Sequence, residues 1–297
     1  MIFNSCQKET LLDNEITNSF KEEVNKLPVS VDANTLVFET EEDFQTTLDF
    51  LNEADAQMLN NFEQTLGYKS FRTAHPNLIG TENKYEDELF LSMINPNAEI
   101  IIAKHLMKVD FETEKTLVIP VDENNTRLKS ATTLNFDWDD DVFEYLENGN
   151  SNSFKSKYCG GAKVKDRSWE FNKGDVYNYA HLRIKISFSR YGFYNAILIQ
   201  FKAKQLVGNF KIYGSYKTEG SNYYKPRKKN KTSFSKQRSR TFTGTGQTIY
   251  DRPYNRTRRL VDYNVNVRFY YKVTQDAGAI PPSYKKTDEK VLNLHCK

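Results

Sequence analysis

The chain has 297 residues, enough for one large or two ordinary domains, and its 20 Phe and 18 Tyr supply apolar area that a disordered chain lacks, although hydrophobic content is only 38%. No run of about 18 apolar residues occurs, which excludes a membrane-spanning helix in this sequence. The net charge of +3 hides a division, because residues 1–150 carry 11 Lys/Arg against 30 Asp/Glu and residues 151–297 carry 31 against 9, so the halves have nets of −19 and +22. Such segregation predicts different tasks or partners for the two halves.

In chain order, Ser5 precedes Cys6, and a polar stretch rich in acid and Asn follows, with Pro28 inside it. A small residue before a cysteine and then a polar tether resembles the end of a bacterial lipoprotein signal, in particular the Cys-Gln-Lys-Glu start of Bacteroidetes lipoproteins. The resemblance implies that Cys6 becomes the diacylated residue. The basic and apolar regions of such a signal are missing, so the expectation is that the chain begins late within it. Residues 1–35 are therefore expected as a signal remnant and tether rather than a packed element.

Residues 36–146 read as an acidic α+β region. Thr40 offers a helix N-cap with Glu41, Glu42 and Asp43 in the first turn, and Phe44, Leu48 and Leu51 follow at helical spacing. A second helix carries Met58, Leu59, Phe62 and Leu66 and should stop at Gly67. Together they predict a small helical hairpin whose apolar stripe is ordinary core. Tyr85 to Ile94 reads as a third short helix, ended by Asn95 and Pro96. Glu99 to Ile102, Leu106 to Phe111 and Leu117 to Val121 read as short strands. The run Asp137-Trp-Asp-Asp-Asp141 invites calcium, but it lacks the Gly and terminal Glu of an EF-hand loop, so a solvated acidic loop is the expectation.

Glu147 to Ser156, with repeated Asn and Ser, is the linker candidate, and residues 157–297 then read as a basic antiparallel β domain. Leu182, Ile184, Ile186 and Phe188 alternate with polar residues, and so do Val261, Tyr263, Val265, Val267, Phe269, Tyr271 and Val273, as strands with one buried and one wet face do. Phe193 to Lys204 and Phe210 to Thr218 add two more strands. The expected fold class is thus α+β, with an N-terminal helical hairpin and short strands ahead of a C-terminal antiparallel sheet or sandwich. Residues 219–259 show no apolar period and are expected as one long basic loop, the part most suited to touching a partner.

Within that loop Lys225, Arg227, Lys228, Lys229, Arg238, Arg240, Arg256, Arg258 and Arg259 are interleaved with Tyr and Phe, a composition suited to polyanions. Three readings stand: nucleic acid binding, contact with an anionic glycolipid or polysaccharide, and a solvated loop that neutralises the acidic half. His75, His105, His181 and His295 have no ligand spacing, and no metal or cofactor site is expected. Thr243-Gly-Thr-Gly246 lacks the Lys and helix of a phosphate loop, and no nucleophile elbow occurs, so no catalytic residue is assigned and an enzyme is disfavoured.

Glu42-Asp-Phe44 through Phe71, Met93-Ile-Asn-Pro-Asn97, Leu106 to Lys115, Tyr158-Cys-Gly-Gly-Ala-Lys163 and Arg190-Tyr-Gly-Phe-Tyr194 resemble a family of uncharacterised Bacteroidetes lipoproteins over about two-thirds of the chain. The resemblance implies an address at the outer membrane or cell envelope and brings no activity. In that oxidising compartment Cys159 and Cys296 can pair, which the chain-entropy model values at roughly 4 to 5 kcal/mol; in a cytosolic protein they would be two thiols. The leading expectation is a lipid-anchored envelope protein, membrane-bound through Cys6, whose basic β domain meets an anionic glycan or an envelope protein. The alternatives are a basic nucleic-acid-binding protein and an enzyme acting on an envelope polysaccharide.

Overall fold

The computed structural model describes residues 19–128, 132–149, 164–174, 179–207, 210–226, 229–275 and 287–296. Its contacts divide the chain between Phe136 and Asp137. The first unit carries 11 Lys/Arg against 24 Asp/Glu, the second 31 against 15. The acidic run Asp137–Asp141, at the end of the acidic region in sequence, therefore belongs to the basic unit.

In the first unit the stretch expected as tether is structured from residue 19 onward. Residues 19–24 are helical (α1), with Val24 buried and Phe20 stacked on Phe50 at 5.3 Å. Phe20 and Val24, four apart, face one way on a helix, a pairing that the surrounding acid conceals in the sequence. Strands β1 (Ser30–Asp32) and β2 (Thr35–Phe38) follow as a hairpin whose two turn residues, Ala33 and Asn34, both take left-handed φ values of 44° and 60°. Positive φ at both positions gives the twist that two-residue hairpins need.

Helix α2 (Glu41–Phe50) starts at Thr40, whose side chain accepts from the Asp43 N–H while the Asp43 carboxylate accepts from the Thr40 N–H. Helix α3 (Ala56–Leu66) is capped by Asp55 and ends at Gly67, which has a left-handed φ of 64°. Helix α4 (Phe71–Ala74) follows. The expected helix over Tyr85–Ile94 divides into a 3-10 turn, Asn83–Tyr85, and α5 (Glu88–Met93). Buried Asn95 ends that stretch, because its Oδ1 accepts from the N–H groups of Asn97 and Glu99 and its Nδ2 donates to Thr35 Oγ1. Strands β3 (Glu99–Ile102), β4 (His105–Asp110), β5 (Lys115–Pro120) and β6 (Leu134–Asp137) complete a sheet in the order β1-β2-β3-β4-β5-β6. The β2–β3 pair is parallel, with the helical segment as its crossover. Phe38 packs its ring edge-on against Phe44 of α2 at 5.2 Å.

The second unit opens with α6 (Val142–Asn148) and continues in strands: β7 (Val164–Gly174), β8 (Tyr179–Arg190), β9 (Asn195–Val207) and β10 (Phe210–Thr218). The segment expected as one patternless loop over 219–259 holds four more: β11 (Tyr223–Pro226), β12 (Thr232–Ser233), β13 (Gln237–Phe242) and β14 (Thr248–Arg256). The long loop is thereby corrected. Its alternation is carried by Arg, Lys, Ser and Tyr rather than by aliphatic residues, so an apolar period misses it. The long strand β15 (Leu260–Gln275) and the final β16 (Thr287–His295) follow.

These strands form two antiparallel sheets. One runs β14-β9-β8-β7; the other runs β12-β11-β15-β10-β13, with β16 on the opposite edge of β15. A single apolar core joins inward residues of both, including Ile184, Ile186 and Ile199 from the first and Val265, Val267 and Phe269 from the second. The protein is α+β and mostly strand.

Candidate functional site

Period-two alternation decides which side chains of the six-stranded sheet face out. On β10, Ile212, Gly214 and Tyr216 are buried, which leaves Lys211, Tyr213, Ser215 and Lys217 on the other face. On β15 the buried residues are Val265, Val267, Phe269 and Tyr271, and Arg268, Tyr270 and Lys272 point out. The register places Tyr213 opposite Lys272, Ser215 opposite Tyr270 and Lys217 opposite Arg268. Farther along β15, β11 brings Tyr223 opposite Asn264 and Lys225 opposite Asp262. Tyr213 is 40% exposed and meets Tyr270 edge-on at 6.2 Å. Lys231 lies over the Tyr223 ring, 3.2 Å from its centroid. The result is a wet face on which lysines alternate with tyrosines.

The carboxylates on this face are engaged. Arg268 reaches Glu219 at 2.8 Å and Glu289 at 2.7 Å, and Lys217 lies 3.5 Å from Glu219. The hydrogen bond from Arg268 holds the Glu219 carboxyl below its ordinary range. Asp262 accepts from the Tyr223 hydroxyl at 3.4 Å, and burial followed by that carboxylate pushes the Tyr223 phenol up.

The residues expected to bind a polyanion divide between two environments. Lys225 and Lys229 are exposed on the β11–β12 hairpin, beside Lys231. Arg227 and Lys228 lie outside the described residues. Arg238 and Arg240 project from β13 toward the interior side of the sheet, opposite Tyr216 and Gly214. Arg238 pairs with buried Asp251 at 3.2 Å, and Arg240 donates to the Thr248 carbonyl at 3.0 Å. Asp251 also accepts from the Tyr216 hydroxyl and lies 3.5 Å from Lys236. Arg256 is exposed at the end of β14; Arg258 pairs with Glu147, and Arg259 is buried with its N–H directed at Asp141 Oδ2 at 3.4 Å. Arg238 thus serves a buried carboxylate, Arg240 a backbone carbonyl and Arg258 the exposed Glu147, whereas Lys225 and Lys229 face water. Sequence reasoning missed Lys211, Tyr213, Lys217, Arg268, Tyr270 and Lys272. Their signal was the polar half of the very alternation that marked β10 and β15.

The acidic run is engaged rather than solvated, a second correction. Asp141 caps α6 by accepting from the Glu144 N–H at 3.0 Å, and Asp140 accepts from the Asp137 N–H at 2.9 Å. Asp139 pairs with Arg190, which is 1% exposed, and buried Trp138 packs edge-on against Tyr191 at 4.8 Å. His181 Nε2 lies 3.1 Å from Glu170 Oε2, and Arg183 and Lys204 also reach that carboxylate. No group of three or more metal-ligating side chains converges among the described residues, and no described helix is long and apolar enough to cross a membrane. Cys296 directly follows β16, donates its N–H to the Tyr263 carbonyl at 2.9 Å and is held in a disulfide. Cys6 and Cys159 lie outside the described residues.

No protein-family model matches the chain, and no curated protein matches it. Among solved structures, it is similar to a crystal structure of a DUF4848 family protein from Bacteroides thetaiotaomicron at 8% identity, over 90% of this chain and 100% of that one, with a TM-score of 0.21. A likeness of that size transfers neither fold nor role.

Proposed function

We propose that the second unit contacts an anionic polymer through the outward face of its six-stranded sheet, and that it does so at a bacterial envelope, held to the membrane by a lipid on Cys6. The observation that carries this reading is the alternation of Lys211, Lys217, Lys225, Lys231, Arg268 and Lys272 with Tyr213, Tyr223 and Tyr270 on one wet face. Lysine is a hydrated point charge on a flexible stem, suited to following a charged polymer rather than to gripping one carboxylate. Exposed phenol rings add a flat apolar contact for sugar faces. Arg238, Arg240 and Arg268, which have the fork for bidentate recognition, are already engaged by groups of the protein itself. The reading is therefore of charge-driven contact with an anionic glycan, low in sequence or linkage specificity.

Titration with dextran sulfate at stepped ionic strength tests it. Affinity should fall steeply with salt, and Lys217→Glu, Lys231→Glu and Lys272→Glu together should weaken binding and flatten the salt slope by roughly one unit per cation removed. Absent or salt-independent binding would sink the proposal, and a marked preference for duplex DNA over the sulfated glycan would return the face to nucleic acid. The mass of the Cys6 peptide from native membranes checks the anchor: a diacylglyceryl adduct is expected, and an unmodified cysteine overturns that part.

A further inference from the structure

The first unit contains an open cleft of about 350 Å³, lined by Asn34, Asn60, Glu63, Gln64, Tyr68 and Lys69 among others. Its wall is fixed from three directions. Gly67 turns the chain out of α3 so that Tyr68 and Lys69 cross the helix end. Asn34, from the β1–β2 turn, grips the Lys69 backbone with both halves of its amide, accepting from N–H at 2.8 Å and donating to C=O at 3.0 Å. Buried Arg72 of α4 donates to Asn60 Oδ1 at 2.5 Å and to Glu63 Oε1 at 2.9 Å.

What these bonds leave over defines a ligand. Asn60 has its carbonyl oxygen occupied, so its NH₂ remains to donate. Glu63 Oε2 makes no hydrogen bond among the described residues and remains to accept. The Gln64 amide offers both functions. The Lys69 ammonium pairs with no carboxylate among the described residues. The Tyr68 hydroxyl is buried with no hydrogen-bond partner, an arrangement that costs stability unless something answers it. Burial pushes its phenol well up, so it stays a donor. A lining that offers both donors and acceptors suits hydroxyl groups, which need both. Glu63 is neutralised by Arg72, and Lys69 adds an uncompensated positive charge, which favours an anionic ligand over a cationic one.

We infer that this cleft binds a single hydroxylated sugar ring bearing a carboxylate, that is, a hexuronate. The volume fits one ring, at the small end of ligand sites, and its openness to solvent admits either a free sugar or the terminal ring of a glycan. The cleft shares no residue with the sheet face.

Amide shifts of residues 60–73 in labelled protein, titrated with glucuronate and with glucose, test the assignment. Glucuronate should saturate in the millimolar range and glucose several-fold more weakly. Lys69→Ala should erase that preference, and Gln64→Ala should weaken both sugars; both side chains are exposed, so the fold should survive, as a thermal melt would verify. Lys231→Glu, a change on the sheet face, should leave the titration unaltered, so failure here and failure of the polyanion reading are distinguishable. An oligosaccharide ending in the same ring separates the sources: tighter binding than the free acid identifies a glycan terminus, equal binding a free sugar. Absence of shifts with either sugar overturns the site, and equal glucose and glucuronate affinity in the unaltered protein overturns its acid selectivity.

Discussion

Gly214 shows how tightly one position can be constrained. A Cβ there would lie 2.7 Å from both Phe201 Cζ and Phe242 Cε2, whose rings stack at 5.2 Å beneath β10. Gly214→Ala must push that stack aside, and overpacking of this kind costs about 1–3 kcal/mol, to be read as a lower urea midpoint with an unchanged slope. A midpoint equal to the parent's would mean that the rings have room the structure does not show. Asp139 is the complementary case, since its partner Arg190 is nearly fully buried. Asp139→Ala removes a charge-assisted partner from a desolvated guanidinium, and with Asp139 itself partly exposed the expected loss is roughly 1.5–3 kcal/mol. Chemical denaturation measures it, and a loss below experimental error would show that the remaining contacts of Arg190 suffice. Neither effect is visible in sequence, because the neighbours involved are distant in the chain.

Local chemistry was legible where one element contains the whole argument. Thr40 ahead of its acidic first turn and Gly67 after α3 are complete signals, since donors, acceptors and backbone conformation all lie within a few residues. The two-residue turns at Ala33-Asn34 and Ala103-Lys104 were not legible, because alanine and lysine are poor residues for left-handed φ and the hairpins impose it. The segment 219–259 failed for a related reason. In β13 the inward positions include Arg238 and Arg240, which reach Asp251 and the Thr248 carbonyl of β14, so the strand hides its core side behind charge. For the candidate face, Lys225 and Lys229 could be found by composition alone, whereas Lys217, Arg268 and Lys272 could be found only by asking which residues oppose the apolar ones. The Lys217→Glu, Lys231→Glu and Lys272→Glu combination addresses that element-level claim directly. It should leave stability near the parent's, since exposed ion pairs contribute roughly 0–1 kcal/mol each.

Across the whole molecule, tyrosine gives the chain a pH limit. Burial raises the phenol of Tyr263 to about 12, and burial likewise raises Tyr68, Tyr254 and Tyr271. An unfolded tyrosine ionises near pH 10. Above that pH the unfolded chain releases protons that the native state keeps, so stability present below about pH 10 is lost as pH rises toward the folded values. Tyr263 by itself accounts for about 2–3 kcal/mol of that loss by pH 12. Urea midpoints at about pH 8 and about pH 11 should therefore fall, and Tyr263→Phe should shrink the difference. An equal fall in the variant would assign the effect to other groups. The charge imbalance also belongs to this scale: each unit carries an excess of one sign, and in the basic unit single carboxylates such as Glu170 and Asp251 each face several cations.

The sequence by itself determined the segregation of charge, the α+β class, the start of α2, the end of α3 and the aliphatic alternating strands of the basic half, because each follows from composition or from neighbours within one or two turns. Only the tertiary structure decided which cations meet water and which are spent on internal carboxylates. That choice depends on strand register and on partners distant in the chain, as with Asp251 and Arg238 or Asp139 and Arg190, and a one-residue change of facing reverses it. The cleft of the first unit likewise exists only in three dimensions, where the β1–β2 turn and the end of α3 supply its lining and a buried arginine holds Asn60 and Glu63 in place.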